Sequence, residues 1–287
     1  MILVTGAGGT VGGEVLKQLR EAGQPVRAAF HNPTKASEAR AKGIDAVVLD
    51  FADRSSIASG LQGVDKLFLL GATHPNQSQL EINVVEEAKK AGVKHIVKLS
   101  VLNAAAEEYT FARWHRAVEK AIEASGLSYT FVRPTSFMQN FINYSGESIR
   151  SQGAFYGSGR DSRTSVVDVR DIAAVTVKAL TEPRHDKKVY ELTGPESLTN
   201  AEVARKISGA AGKQVNYVDI PVDALRAGAL SSGVPEFYAD ALVDLQKYYV
   251  AGKAEAISGD VEKVLGRKPR NFDDFARDNA SAFRAAA

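Results

Sequence analysis

The first twelve residues, Met1-Ile2-Leu3-Val4-Thr5-Gly6-Ala7-Gly8-Gly9-Thr10-Val11-Gly12, constrain the fold of this chain more than any other stretch. A short apolar run, Ile2 to Val4, breaks into glycines, after which Val11, Val15, Leu16 and Leu19 recur at helical spacing. The pattern predicts a strand, a tight turn and a helix. A helix N-terminus carries exposed N–H groups and a partial positive charge, which suits a pyrophosphate. Glycines let the backbone turn sharply and approach phosphates with no Cβ in the way. On this reading Gly6, Gly8, Gly9, Thr10, Val11 and Gly12 form a phosphate loop. The spacing Gly6-x-x-Gly9-x-x-Gly12 departs from the commoner G-x-G-x-x-G. An ordinary strand-to-helix turn would use the same glycines.

The continuation of the chain favours the phosphate loop. A second strand, Pro25 to Phe30, arrives where a βαβ unit of about 30 residues requires it. The run Thr5-Gly6-Ala7-Gly8-Gly9-Thr10-Val11-Gly12 resembles the T-G-A-x-G-x-x-G opening of the extended or atypical short-chain dehydrogenases/reductases.

Further apolar runs follow at Ala46–Phe51, Lys66–Gly71 and His95–Ser100, separated by helical stretches such as Gln79–Ala91, in which Leu80, Val84 and Ala88 share a face. Runs apolar on both faces suit a buried parallel sheet. The alternation predicts an α/β fold with a doubly wound parallel sheet, the Rossmann arrangement. Residues 1–150 are expected to form the NAD(P)-binding domain. Residues 151–287 would form a smaller, interleaved and mostly helical substrate lobe over the cleft, with a strand near 188–194 returning to the main sheet. A capping box, Thr199-Asn200-Ala201-Glu202, predicts a helix start.

Composition narrows the function. A net charge of +2 gives no electrostatic argument for nucleic acid or a membrane surface. With no cysteine, thiol nucleophiles and Cys-ligated zinc are excluded. No basic leader with an apolar core precedes the first strand, and no run of 18 apolar residues follows. A cytoplasmic protein is expected, with no metal, and with a homodimer as the expected assembly.

The end of the second strand bears on cofactor choice. NAD-binding proteins commonly place Asp or Glu there for the ribose 2′-OH. In this chain the segment reads His31-Asn32-Pro33-Thr34-Lys35, with no carboxylate until Glu38. His31 and Lys35 suit a 2′-phosphate, so NADPH is favoured over NADH. Imidazole is mostly neutral at pH 7, which weakens that preference. Gly71, Ala72 and Thr73 close the fourth strand, where the ribose should lie, since ligands sit at the carboxyl ends of parallel strands. The family resemblance places the adenine at Asp50 and Phe51. Asp50 would otherwise serve as a turn cap.

The segment Phe111–Ile122 bears on the chemistry. Most short-chain reductases carry Y-x-x-x-K on this helix, where the ammonium lowers the phenol's pKa. This chain has His115-x-x-x-Glu119 in that register, and Lys120 lies about 100° round the helix. Ser100 matches the family's serine or threonine but has no tyrosine to assist. Reduction of an ordinary ketone needs a proton donor in the transition state. A quinone or conjugated dye yields a stabilised product, for which positioning can suffice. His115 is the candidate donor, with Glu119 holding it protonated. The alternative is a helix-surface pair worth a few tenths of a kcal/mol.

After a sixth strand, Leu127–Pro134, comes Thr135-Ser136-Phe137-Met138-Gln139-Asn140-Phe141. The pattern G-L-x-Y-T-x-x-R-P followed by F-M-Q-N-F resembles the NmrA-like atypical short-chain reductases, as do the V-D-x-x-D-I-A run at Val167–Ala173 and the C-terminal stretch. That group includes dye and quinone reductases and a dinucleotide-sensing regulator. The resemblance implies an NAD(P)H-dependent oxidoreductase that passes hydride to a quinone, dye or similar conjugated acceptor. The alternative is a non-catalytic sensor. Phe137, Met138, Asn140 and Phe141 would wall the acceptor site, although a plain core helix would use the same residues.

Overall fold

The computed structural model describes residues 1–284. Its first half alternates strand and helix: β1 (Ile2–Val4), α1 (Thr10–Glu21), β2 (Val26–Phe30), α2 (Pro33–Ala41), β3 (Asp45–Val48), α3 (Arg54–Gly60), β4 (Lys66–Leu69), α4 (Gln77–Lys90), β5 (His95–Leu99), α5 (Thr110–Ser125) and β6 (Ser128–Pro134). Then come α6 (Asn140–Asn143), α7 (Gly146–Gln152), β7 (Ala154–Gly157), β8 (Arg163–Thr164), α8 (Val169–Thr181) and β9 (Lys188–Leu192). The chain ends with β10 (Leu198–Thr199), α9 (Asn200–Ala211), β11 (Asn216–Asp219), α10 (Val222–Ser231), α11 (Glu236–Val250), α12 (Asp260–Leu265), α13 (Phe272–Asp278) and α14 (Ala280–Phe283).

Two compact units result. Among the described residues, the first comprises 1–107, 112–133 and 172–191, and the second comprises 108–111, 134–171 and the residues from 192 on. The expected break at 150 therefore falls at the end of β6, and the segment carrying most of α8 and β9 belongs to the first unit. The physical reason is hydrogen bonding. β9 closes the edge of the seven-stranded sheet, whose order is β3-β2-β1-β4-β5-β6-β9. Lys187 N donates to Tyr129 O at one end and Thr135 N to Leu192 O at the other, so β9 runs parallel to β6. The other pairings are parallel too.

Strand order reverses direction between β1 and β4, and the crevice above such a reversal is where doubly wound sheets bind ligands. Thr5 clips the two strands together there: its Oγ1 accepts from Leu70 N at 2.8 Å and lies 3.0 Å from the carbonyls of Phe68 and Leu70. Below it, Leu3, Leu67, Leu69 and Ile96 pack with Val84, Val85 and Ala88 of α4 and with Val118 and Ile122 of α5. The buried stripe of α4 also includes Gln77, Glu81 and Glu87, and that of α5 includes His115 and Glu119.

The second unit has its own core, in which Met138, Ile149 and Phe155 meet Phe272, Phe275 and Phe283. Asp168 accepts from Gln139 and Arg170, while the fully buried Asp171 accepts from the side chains of Arg267 and Arg270 and from Arg270 N. These two carboxylates tie loops into place. A parallel pair, β7 with β11, was not expected in a region read as mostly helical; β11 is only four residues long and largely exposed. No helix among the described residues is long and apolar enough to cross a membrane.

The capping box forms in full. Glu202 N donates to Thr199 Oγ1 at 3.1 Å and Thr199 N to Glu202 Oε2 at 2.8 Å. Thr199→Ala should therefore cost about 1 kcal/mol. A denaturation midpoint unchanged by the substitution would show that the box carries no net stability.

Candidate functional site

The glycine loop is built by close approach. Gly6 has a φ of +62°, a left-handed conformation, and Gly9 N donates back to Gly6 O at 2.9 Å. At Gly12 a Cβ would lie 2.2 Å from Gly6 O and 2.6 Å from Gly6 C, so helix and loop touch backbone to backbone. Val11 is buried and anchors the helix, whereas Gly8, Gly9 and Thr10 are exposed. The N-cap residue is Gly9, no side chain caps α1, and its first turn has no acidic residue. First-turn N–H groups lack intrahelical partners, so this end fits an anionic pyrophosphate.

The second strand ends beside that loop. A Cβ on Gly8 would stand 3.5 Å from Phe30 Cδ1 and 3.6 Å from Lys35 Cδ, which places the lysine stem against the glycines. Asn32 caps α2 by accepting from Thr34 N and Lys35 N. His31 is exposed, with Nδ1 4.0 Å from Asp50 Oδ1. Asp50 also accepts from Ala52 N at 2.8 Å, the turn-capping role open to it from sequence. Phe51 is half-buried against the core. Lys35 thus supplies the permanent positive charge of this patch, and Asp50 partly offsets it.

At the other side of the reversal, Gly71 follows β4, with Ala72 and Thr73 exposed after it. Gly71 N donates to Glu81 Oε1 at 3.1 Å. A Cβ on Gly71 would stand 2.8 Å from that oxygen, so the glycine admits the carboxylate. Glu81 Oε2 in turn lies 2.7 Å from Lys98 Nζ, both side chains being fully buried. Lys98 Nζ also donates to Leu99 O and lies 3.2 Å from His115 Nδ1. Ser100, 2% exposed, carries a hydroxyl with no hydrogen-bond partner among the described residues.

On α5 the structure overturns two expectations. His115 and Glu119 are not a surface pair, because both lie on the buried stripe. Nor does Glu119 serve His115. It is gripped by Arg133, with Nη2 at 2.6 Å and Nε at 2.9 Å, and by Arg116 at 3.2 Å. The neighbour of His115 is Lys98. Burial, and after it the Lys98 charge, holds the imidazole well below its ordinary pKa. His115 is therefore neutral at physiological pH. Sequence reasoning did not single out Lys98 or Glu81. A lysine in a central strand and a glutamate on an apolar helix stripe were the available signals.

The second unit holds a cavity of about 270 Å³ lined by Ser136, Asn140, Phe141, Tyr144, Phe155, Tyr156, Gln246 and Tyr249, among others. Asn140 and Phe141 thus fall where an acceptor could stack. Phe141 meets Phe155 and Phe272 edge-on, both with centroids 5.4 Å away. Met138 does not reach this wall: it is fully buried in the core. Phe137 bridges to Val167 and is not among the lining residues. Tyr249 was missed by sequence reasoning. Burial pushes its phenol up to about 12, against the pull of a hydrogen bond with Ser136, so it stays protonated. Among the described residues no cluster of three or more His, Asp or Glu is placed to hold a metal.

Comparison with known proteins gives a consistent picture. The model of the NmrA-like family matches residues 1–276. An NAD(P)H azoreductase of Xenophilus azovorans is 38% identical over 287 residues, covering all of both chains. The structure of an NADPH-dependent quinone oxidoreductase of Escherichia coli, complexed with NADPH, matches with a TM-score of 0.86 and 30% identity, over 96% of this chain and 98% of that one. A triphenylmethane reductase of Citrobacter sp. in complex with NADP(H) matches with a TM-score of 0.84 and 28% identity, over 97% and 99%.

Proposed function

The chain belongs to the NmrA-like family, and from that premise and its own geometry we infer that it is an NAD(P)H-dependent reductase of quinones, dyes or similar conjugated acceptors. The observation that carries this reading is the uncapped N-terminus of α1, walled by glycine backbone at the strand-order reversal. Gly6, Gly8, Gly9 and Gly12, with the N–H groups at Thr10 and Val11, would hold the pyrophosphate. Lys35 and His31 would take the 2′-phosphate, Asp50 and Phe51 the adenine, and Gly71, Ala72, Thr73 and Ser100 the ribose side. When bound, the reduced nicotinamide supplies a hydride.

The chain's own part is positioning and charge stabilisation. The aromatic cavity of the second unit suits a flat acceptor, and Asn140 and Tyr249 can donate hydrogen bonds to its polar edge. On α5 the tyrosine–lysine pair of other short-chain reductases is replaced by His115 and Glu119. A conjugated acceptor spreads the incoming charge, so a hydrogen-bond donor is enough where an ordinary ketone would need a strong acid. His115 is our candidate for that donor.

The test is NADPH oxidation followed at 340 nm against a panel of quinones, azo dyes and triphenylmethane dyes, repeated with NADH. Turnover with any of them supports the reading. Tight NADPH binding with no turnover would overturn it in favour of a dinucleotide sensor. Lys35→Ala should raise the KM for NADPH about fivefold, as losing one exposed cation–phosphate contact implies, and leave that for NADH unchanged. Equal effects on both would remove Lys35 from the 2′-phosphate site.

A further inference from the structure

The hydrogen bonds around Lys98 determine the form in which His115 exists. Glu81 meets only donors: Gly71 N at 3.1 Å and Gln77 Nε2 at 3.5 Å on Oε1, and Lys98 Nζ at 2.7 Å on Oε2. Its Oε1 accepts from the backbone and the amide, and its Oε2 pairs with the lysine. Lys98 meets the opposite set. Its Nζ faces that carboxylate, the carbonyl of Leu99 and the Nδ1 of His115. An ammonium has three donors and no lone pair. With Glu81 as its ion-pair partner, its hydrogens go to the Leu99 carbonyl and to His115 Nδ1.

A nitrogen that accepts from an ammonium carries no proton, so the imidazole proton sits on Nε2. We propose that Lys98, set by Glu81, is a positioning residue that locks His115 as a neutral Nε2–H hydrogen-bond donor. Protonating Nδ1 would require breaking that bond and placing a second cation 3.2 Å from a buried ammonium. The donor strength of His115 is then constant across the physiological range. Glu81 also grips Gly71 N, where the ribose is expected, so one carboxylate joins the nucleotide edge to the lock. Of the carboxylates on α5, Glu119 is committed to Arg133 and Arg116 and does not compensate. The donor role rests on the proposed reductase function, whereas the lock does not.

Long-range proton–nitrogen NMR on the ¹⁵N-labelled protein reads the tautomer directly, and only five histidines need to be resolved. His115→Gln assigns the signal by its disappearance. Between pH 5.5 and 8.5, His115 should show an unprotonated Nδ1 and a protonated Nε2 without titrating. In Lys98→Met/Glu81→Gln, which removes both charges and so leaves neither buried alone, Nδ1 loses its ammonium donor and His115 should show a mixture of the two neutral tautomers. Titration of His115 in the unmodified protein, or a proton on Nδ1, would overturn the lock. If the tautomer is as stated but His115→Gln keeps full turnover, the lock stands and the donor role falls; the expected loss is about tenfold or more, that of a hydrogen bond to a charged oxygen.

Discussion

Gly12→Ala should weaken NADPH binding about 100-fold while leaving the protein folded. The added Cβ would sit 2.2 Å from Gly6 O and 2.6 Å from Gly6 C, and both are backbone atoms that cannot rotate away. The loop must open, at a cost of about 1–3 kcal/mol for overpacking of this kind. It also loses the fit between its N–H groups and the phosphates, and each 1.4 kcal/mol is a factor of about ten in affinity. Gly13→Ala is the matched control. Its Cβ would lie 3.4 Å from Ala7 O, an ordinary contact, and alanine within a helix gains about 0.5–1 kcal/mol over glycine. Fluorescence titration with NADPH, alongside circular dichroism for fold, separates the two. Affinity of Gly12→Ala within threefold of the unmodified protein would mean that the pyrophosphate does not sit in this loop.

That prediction was within reach of the sequence because the loop's geometry is local. Gly6 and Gly12 are six residues apart, and the strand–turn–helix that joins them dictates their approach. The central strands β1, β4 and β5 were legible for a related reason: each is a short, mostly apolar run buried along nearly its whole length. The return of β9 to the main sheet was expected because the run reads as a strand, but its place beside β6 rather than at the β3 edge comes from the structure.

What escaped depends on which way a side chain points once helices pack. Met138, Asn140 and Phe141 form one stretch of sequence, yet Met138 is fully buried in the core while Asn140 and Phe141 line the cavity. Nothing in residue type separates these fates, since a methionine packs in a core as readily as against a ligand. Tyr249 stands next to Tyr248 on α11, and only one of them lines the cavity. The Lys98 cluster was the least legible. It joins β5 to α4 and α5 across 17 residues in each direction, and charged residues so seldom lie fully buried that none of the three invites such a placement.

Glu119 is the clearest case of a role changed by packing, and it carries the second large effect. Its carboxylate is fully buried and receives a two-pronged bond from Arg133, itself almost wholly buried. Glu119→Leu would leave that guanidinium with Glu191, at 3.1 Å, as its remaining charged partner. Removing one member of a buried ion pair costs about 3–5 kcal/mol, because the surviving charge is left without compensation. The remaining Glu191 bond places this case toward the lower end. Replacing both partners by apolar groups of similar volume is often close to neutral. Glu119→Leu/Arg133→Met should therefore be more stable than Glu119→Leu alone, although it carries one more substitution. Glu191 tolerates the loss of Arg133 because it is 28% exposed and still accepts from Asn103 N. Denaturant midpoints of the two variants and the unmodified protein decide it. A single variant within 1 kcal/mol of the unmodified protein would show that solvent reaches Arg133 and that the pair is structurally dispensable. In that event Glu119 would again be available to act on the chemistry of α5.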